Sequence, residues 1–332
     1  MSASIGIVGG GIIGVLAARE LAARHPQARI TVLDRDLLGS GASRRSAGLH
    51  FPRGASERVR TMAAFSEEFY EKLRATAPAL PIFPVPMQVI ARETSADEVH
   101  TVYLPSARLT ATDVPGTWTV HGGQYADVYA LTGALATDLR DRVAVREGVA
   151  VTALRPTSDG VTVETGTGEA LAFDRVLLCP GPWTDAPPWR DLTAPLGLRV
   201  KKVIAMHVRG VPADSEPCLV FHDEDAFVLP MAHRGHRLFS YTCDEWDVDP
   251  DSLAAGLSAD HLAQARDVLA RYAPGLVVDD GRVFCDAYSP DRQPVVRFVD
   301  PHARVVFAGA ANGSGYRLGP AIAAEAADLL IS

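Results

Sequence analysis

The chain has 332 residues, 47% of them hydrophobic and 22% charged, with a formal net charge of −8 and a pI of about 5.7. That is the composition of a globular protein able to bury one large core or two interleaved ones. The acidic balance, without a run of five or more like charges, argues against a nucleic-acid partner, which needs a basic footprint.

Four scattered cysteines (Cys179, Cys218, Cys243, Cys285) lack C-x-x-C spacing, so neither a metal site nor a disulfide framework is expected. No apolar run is long enough to span a bilayer. The apolar N-terminus lacks a basic segment and a small-residue cleavage site, and reads as a strand and a helix rather than a signal peptide. A soluble, cytoplasmic protein is the expectation.

In chain order, residues 4–8 (SIGIV) are β-prone, and 12–24 have helical composition. Between them Gly9, Gly11 and Gly14 make G-x-G-x-x-G, in the strand-to-helix context that a dinucleotide pyrophosphate requires. Gly9 permits the tight turn, Gly11 the approach of the pyrophosphate, and Gly14 close helix-to-strand packing. The ligand then meets the unpaired N–H groups at the helix start. The next strand, in ARITVLDRD (28–36), ends in Asp34, where a carboxylate accepts from a ribose hydroxyl; the other reading of Asp34 is a turn residue at a strand end.

GSGASRRSAGLHFPRG (39–54) has small residues, three arginines and no apolar periodicity, and reads as a loop lying against a ligand. RVLLCPGPWTD (175–185) is a buried strand and a Gly/Pro turn. LGLRVKKVIAMHV, AFVLPMA and HRLFSYT supply further strands. SADHLAQARDVLARY (258–272) is an amphipathic helix with Leu262, Ala265 and Leu269 on its inner face. RVVFAGAANGSGYRLGPAIAAEAADLL (304–330) is a strand, a small-residue loop and an Ala-rich helix. NAD and FAD both use the opening unit. A second, distant loop-to-helix junction, able to support negative charge on a reduced flavin ring, suits FAD better.

These motifs carry a resemblance. In order, GIVGGGIIG, VLDRD, GASRRSAGL, RVLLCPGPWT, YSPDRQPVV and VVFAGAANGSGYRLGP resemble the FAD-dependent D-amino acid oxidase superfamily, which includes sarcosine oxidase, glycine oxidase and D-arginine dehydrogenase. The resemblance runs nearly end to end. It implies an α/β fold, a Rossmann-type FAD-binding domain (1–80, 125–190, 281–332) interleaved with a mixed-sheet substrate domain (81–124, 191–280).

It further implies that Gly9, Gly11, Gly14, Asp34, Arg35, Ser43, Arg44, Arg45, Ser46 and Gly48 contact the cofactor. Val149, on a strand matched by REGVAVTAL (146–154), Gly181 and Trp183 fall at the adenosine side. Gly313, Gly315, Tyr316 and Arg317 line the flavin ring. Arg317 stands where sarcosine oxidase carries a carboxylate-binding lysine, and a guanidinium binds a carboxylate through two parallel N–H bonds. Arg237 falls near the oxygen-activating lysine of that enzyme. His50 is a candidate to orient an amine or take its proton. Phe227 and Tyr241 are candidate pocket walls, with core packing as the plainer reading.

The chain departs from the family where relatives carry a carboxylate-binding arginine before T-P-D. Here Asp286 stands in CDAYSPD, which would attract a cation. Cys285 lies one residue out of register with the cysteine that links flavin covalently in sarcosine oxidase, so non-covalent FAD is the first expectation and a Cys285 link the second. The implied reaction is hydride transfer from a C–N carbon of an amino acid or secondary amine to flavin, with O2 or another acceptor reoxidising it. The chain stops at its last FAD helix, so a flavin-bearing subunit of a larger dehydrogenase, completed by a partner chain, is the competing expectation.

Overall fold

The computed structural model describes residues 3–92, 96–102, 109–253 and 256–331. Its centre is a six-stranded sheet in the order Val295–Phe298, Val305–Gly309, Arg175–Leu178, Ser4–Val8, Arg29–Leu33, Val143–Arg146. Every pair is parallel except Val295–Phe298 with Val305–Gly309. Runs such as GIV, VLL and VVFAG are apolar on successive residues because parallel strands are covered on both faces.

On one face lie the helices Ile12–Arg24, Glu57–Thr76, Val128–Asp138 and Gly315–Ile331, which share one core with the sheet. On the other, an antiparallel sheet of Val151–Pro156, Val161–Thr165 and Ala170–Phe173 shares a core with Val8, Leu33, Leu178 and Phe307. Gly6 makes room for the Phe173 ring, which would stand 2.8 Å from a Cβ there.

The second large sheet has eight strands in the order Val278–Tyr288, Arg199–Val208, His236–Ser240, Ala226–Met231, Cys218–Phe221, Met87–Ile90, Thr117–Val120, Leu109–Ala111. One pair is parallel, Met87–Ile90 with Cys218–Phe221. Strand alternation gives the sheet two faces. Ile204, Met206, Val228 and Phe239 pack on the helix Ala259–Tyr272, whose inner side is His261, Ala265, Val268, Leu269 and Tyr272, with Leu262 half-buried. Ala205, Val220, Leu229 and Leu238 belong to the opposite face.

Two segments differ from the sequence reading. Residues 39–54 include a short helix, Ala42–Arg45, and the strand Leu49–His50, paired with Gln124–Ala126. REGVAVTAL is broken, because Gly148 turns the chain at φ +70 and Val149 lies in that turn between two strands of different sheets. The stretch IFPVPMQVI forms two strands, Ile82–Pro84 and Met87–Ile90, parted by Val85 and Pro86, since proline offers no N–H to a continuing ladder.

Candidate active site

A cavity of about 1070 Å³ opens at the carboxyl ends of the parallel strands and is roofed by the eight-stranded sheet. Open α/β sheets bind ligands at this place. Its volume is at the upper end of ligand pockets, roughly 300–1,000 Å³.

The glycine turn floors one end. Gly9 has φ +104, and a Cβ on it would lie 2.1 Å from the carbonyl oxygen of Cys179. A Cβ on Gly14 would lie 2.0 Å from the carbonyl oxygen of Gly9, so this glycine packs the helix onto the turn. At Gly11 the nearest atom to such a Cβ is Oγ of Ser43, 3.3 Å away, and the residue faces the cavity. Ser43 Oγ accepts the N–H of Ile12 at 3.0 Å from 31 positions along the chain. Ile13 and Gly14 also line the cavity, and N–H groups of a first helical turn have no intrahelical acceptor.

Asp34 stands beside this turn. Its Oδ2 accepts the N–H of Gly10 at 2.7 Å, and its Oδ1 accepts that of Asp36 at 2.9 Å. Burial raises its pKa against those two bonds. Arg35 stacks on the Trp183 ring at 4.1 Å, and both donate to Oδ1 of Asp251, at 2.9 and 2.7 Å. Val149 donates its N–H to the carbonyl of Asp34 at 2.8 Å, and Gly181 turns at φ +58. All of these, with Ser46 and Gly48, line the cavity.

At the far end the loop before the last helix has left-handed backbone at Ala310, Asn312 and Gly313. Asn312 fixes it, donating to the carbonyl of Ala310 at 2.8 Å and accepting the N–H of Ser289 at 3.0 Å. Gly313, Gly315, Tyr316 and Arg317 line the cavity where the last helix begins. Two helix N-termini and one strand-end carboxylate thus face a single space, a donor set that fits FAD; the resemblance would set the pyrophosphate at Gly11–Gly14 and the ring at Gly313–Arg317.

A charged corner adjoins the last helix. Arg317 donates from Nη2 to Ser314 Oγ at 2.5 Å, and its guanidinium lies 5.5 Å from the centre of the Phe51 ring. Asp225, with φ 44, accepts from Arg53 Nη1 at 2.8 Å and from Thr242 Oγ1 at 2.7 Å. Burial pushes the Asp225 carboxyl up, but Arg53, then Thr242 and Arg317, hold it down at about 2.

Other expected residues stand outside the cavity lining. Arg44 and Arg45 are exposed; Arg44 lies 5.2 Å from the Tyr129 ring, and Arg45 bonds the carbonyls of Ser40 and Gly41 at 3.0 and 3.2 Å. His50 is wholly buried behind the wall that Leu49 and Phe51 form, with its ring 5.8 Å from Tyr70. Burial, then the charge of Arg317, lowers its pKa to about 3. Arg237 shares a sheet face with Phe239, opposite the cavity-lining Leu238 and Ser240, and is clamped by Glu216 (Nη2 to Oε2, 2.6 Å).

Phe227 and Tyr241 line the cavity, but the Tyr241 hydroxyl turns to the carbonyl of His261 at 3.3 Å. Cys285 is buried between Phe284 and Asp286 in sequence, so its thiol leaves the strand on the face opposite these cavity-lining neighbours. Burial, then the charge of Asp286, pushes that thiol up to about 11.

Among the cavity residues that escaped the sequence reading are Arg53, Lys201 and Asp225. Arg53 was the third arginine of the small-residue stretch. Lys201 is one of two adjacent lysines on a strand, of which alternation must turn one inward. Asp225 sits in a tight turn without any sequence signal. Cys243, Glu245 and His261 bring ligand-type atoms within 4.8 Å of one another. Yet Nδ1 of His261 accepts the Ser258 N–H at 3.0 Å in a helix capping box and Nε2 faces Glu245 at 2.5 Å, so the trio is knit into the helix start.

The sequence matches no curated protein. Among solved structures it is similar to L-proline dehydrogenase from P. horikoshii, at 17% identity and TM-score 0.81, covering 99% of this chain and 93% of that one. It is similar to glycine oxidase from Geobacillus kaustophilus, at 18% identity and TM-score 0.77, covering 99% and 95%. It is also similar to fructosyl amine:oxygen oxidoreductase (Amadoriase I) from Aspergillus fumigatus, at 18% identity and TM-score 0.74, covering 99% and 86%. At these identities the likeness is one of fold. The profile of the DAO family, FAD dependent oxidoreductase, matches residues 4–329. With almost the whole chain inside that match, the protein belongs to the DAO family of FAD-dependent oxidoreductases.

Proposed function

We propose that the protein oxidises the C–N bond of an amino acid or secondary amine to an imine, and that Arg317 and Arg53 hold the substrate carboxylate. The observation that carries this reading is that Arg53, bonded to Asp225 at 2.8 Å, and Arg317, whose charge also acts on that carboxylate, both line the cavity. Flavin bound there supplies the hydride acceptor.

The chain's own residues bind, orient and exclude water. Planar guanidinium groups fix a carboxylate in both position and direction. Asp225 and Thr242 hold Arg53 in place. Phe51 lies against Arg317, and Phe227, Leu238 and Phe284 add apolar lining to the cavity, which strengthens charge contacts as water leaves. The segments expected to form the FAD domain (1–80, 125–190, 281–332) would carry the flavin, and the rest (81–124, 191–280) the substrate wall, with the strand Val278–Tyr288 crossing that boundary as part of the eight-stranded sheet. The names of the similar structures include a dehydrogenase and oxidases, and oxygen consumption during turnover distinguishes the two for this chain.

The test is Arg317→Ala. KM for an amino acid should rise about tenfold or more, the worth of one charge-assisted contact, and KM for the matching amine without a carboxylate should hardly change. Equal rises for both would remove Arg317 from the substrate site.

A further inference from the structure

Lys201 and Asp286 are direct cross-strand partners in the eight-stranded sheet, so their side chains leave the same face, and both line the cavity. Lys201 is 6% exposed, rare for a lysine unless paired. Its nearest carboxylate among the described residues is Oδ1 of Asp244, 3.9 Å away on an almost fully exposed side chain. The ammonium instead lies 4.6 Å from the centre of the Trp246 ring and 5.8 Å from that of Tyr288. Those rings meet edge to face at 5.2 Å, and both line the cavity.

Asp286 is steadied from behind. Its Oδ1 accepts the N–H of Ala287 at 2.9 Å, and the N–H of Gly313 also bonds the carboxylate. Gly313 belongs to the loop that starts the last helix, and a Cβ on it would lie 3.1 Å from the Tyr288 hydroxyl. The patch therefore adjoins the end of the cavity assigned to the flavin ring. An ammonium with three donors and a carboxylate with lone pairs to spare stand side by side there.

We infer that Lys201 and Asp286 form a second polar subsite in the same cavity, taking a primary carboxamide of the substrate. This rests on the reading above that Arg317 and Arg53 hold a carboxylate. A second carboxylate at the subsite would meet Asp286, and an ammonium would meet Lys201, so each lone charge faces a like charge. A carboxamide offers its oxygen to Lys201 and its N–H to Asp286 at once. It is flat and lies against the Trp246 and Tyr288 rings.

The experiment titrates the FAD-loaded protein with three acids that carry no amine: glutaramate, its isostere isoheptanoate and the diacid glutarate. Perturbation of the flavin absorbance gives each Kd. Glutaramate should bind about tenfold or more tighter than either comparator, because a site built for hydrogen bonds rejects analogues that lack them. Lys201→Met and Asp286→Ala should each erase that preference and keep both flavin content and isoheptanoate affinity.

Equal affinities, tighter glutarate, or no binding of any member overturns the inference. Loss of flavin from Lys201→Met, with glutaramate no better than isoheptanoate on wild type, assigns the lysine to the cofactor and overturns it too. Isoheptanoate binding weakened by Lys201→Met and untouched by Arg317→Ala would mean that Lys201 holds the carboxylate itself. Isoheptanoate binding untouched by Arg317→Ala while glutaramate keeps its advantage would overturn the clamp and spare the carboxamide subsite.

Discussion

The hydroxyl of Tyr70 donates to the carbonyl oxygen of Tyr316 at 2.8 Å, and the two rings stack with centroids 4.5 Å apart. Pro320, inside the last helix, has no N–H to give to that carbonyl four residues earlier. Tyr70 supplies the missing donor from another helix. It thereby pins the first turn of the last helix, which carries Gly315 and Arg317 into the cavity.

Tyr70→Phe should therefore cost about 1–3 kcal/mol, the penalty for a buried carbonyl left unsatisfied. Pro320→Ala in that background returns an N–H to the helix and should recover part of the loss. Urea unfolding of the FAD-loaded proteins measures both. A Tyr70→Phe protein as stable as wild type would show that the carbonyl finds another donor.

The three glycines of the opening turn should respond differently to alanine. Gly14→Ala drives a Cβ into the Gly9 carbonyl, so soluble folded protein should be lost. Gly11→Ala meets only Ser43 Oγ at a distance that a small shift relieves, so the chain should fold. If the pyrophosphate lies on this turn, the new methyl group obstructs it, and flavin content after purification should fall severalfold. Full flavin in Gly11→Ala would move the pyrophosphate elsewhere.

His50 should make the protein acid-sensitive. An unfolded histidine takes a proton near 6.5, while the buried ring resists one until about 3. Between these values the unfolded chain binds a proton that the folded chain refuses. The His50 contribution to stability is full above pH 6.5 and falls by about 1.4 kcal/mol per pH unit below it. His50→Gln should flatten that limb in unfolding measured from pH 7 to pH 4. An unchanged slope would place the proton uptake on another group.

Asp251 ties Arg35 and Trp183 together at the part of the cavity that the resemblance gives to the adenosine. Asp251→Ala should free the indole and speed FAD loss on dilution severalfold, with unfolding nearly unchanged, since the pair is largely exposed and surface ion pairs are worth about 0–1 kcal/mol. FAD loss at the wild-type rate would make the Trp183 contact incidental.

What the sequence shows of this fold follows from local chemistry. The glycine turn, the strand ending in Asp34 and the helix after Gly315 are legible because each couples a backbone demand to a residue type. Asp225 is not legible, because its partners Arg53 and Thr242 come from segments far apart in the chain. The faces of Arg237 and Cys285 turn on one residue of register, which flips a strand side chain to the other side. His50 invites a chemical reading from its residue type, while its burial beside Tyr70 depends on a helix placed only by tertiary packing. Asp286 was legible as a departure, but Lys201 across the ladder needed the pairing of two strands nearly a hundred residues apart.

The most direct test is anaerobic mixing of the FAD-loaded protein with D- and L-amino acids, N-methyl amino acids and the matching simple amines, following the visible flavin band. Oxidation at a C–N bond requires that at least one amine-bearing acid bleaches the band, that its decarboxylated amine does so far more weakly, and that the oxidised product is an imine or its hydrolysis product. A protein that holds its flavin, keeps its band against every amine-bearing acid, and is reduced instead by substrates lacking a C–N bond would contradict it.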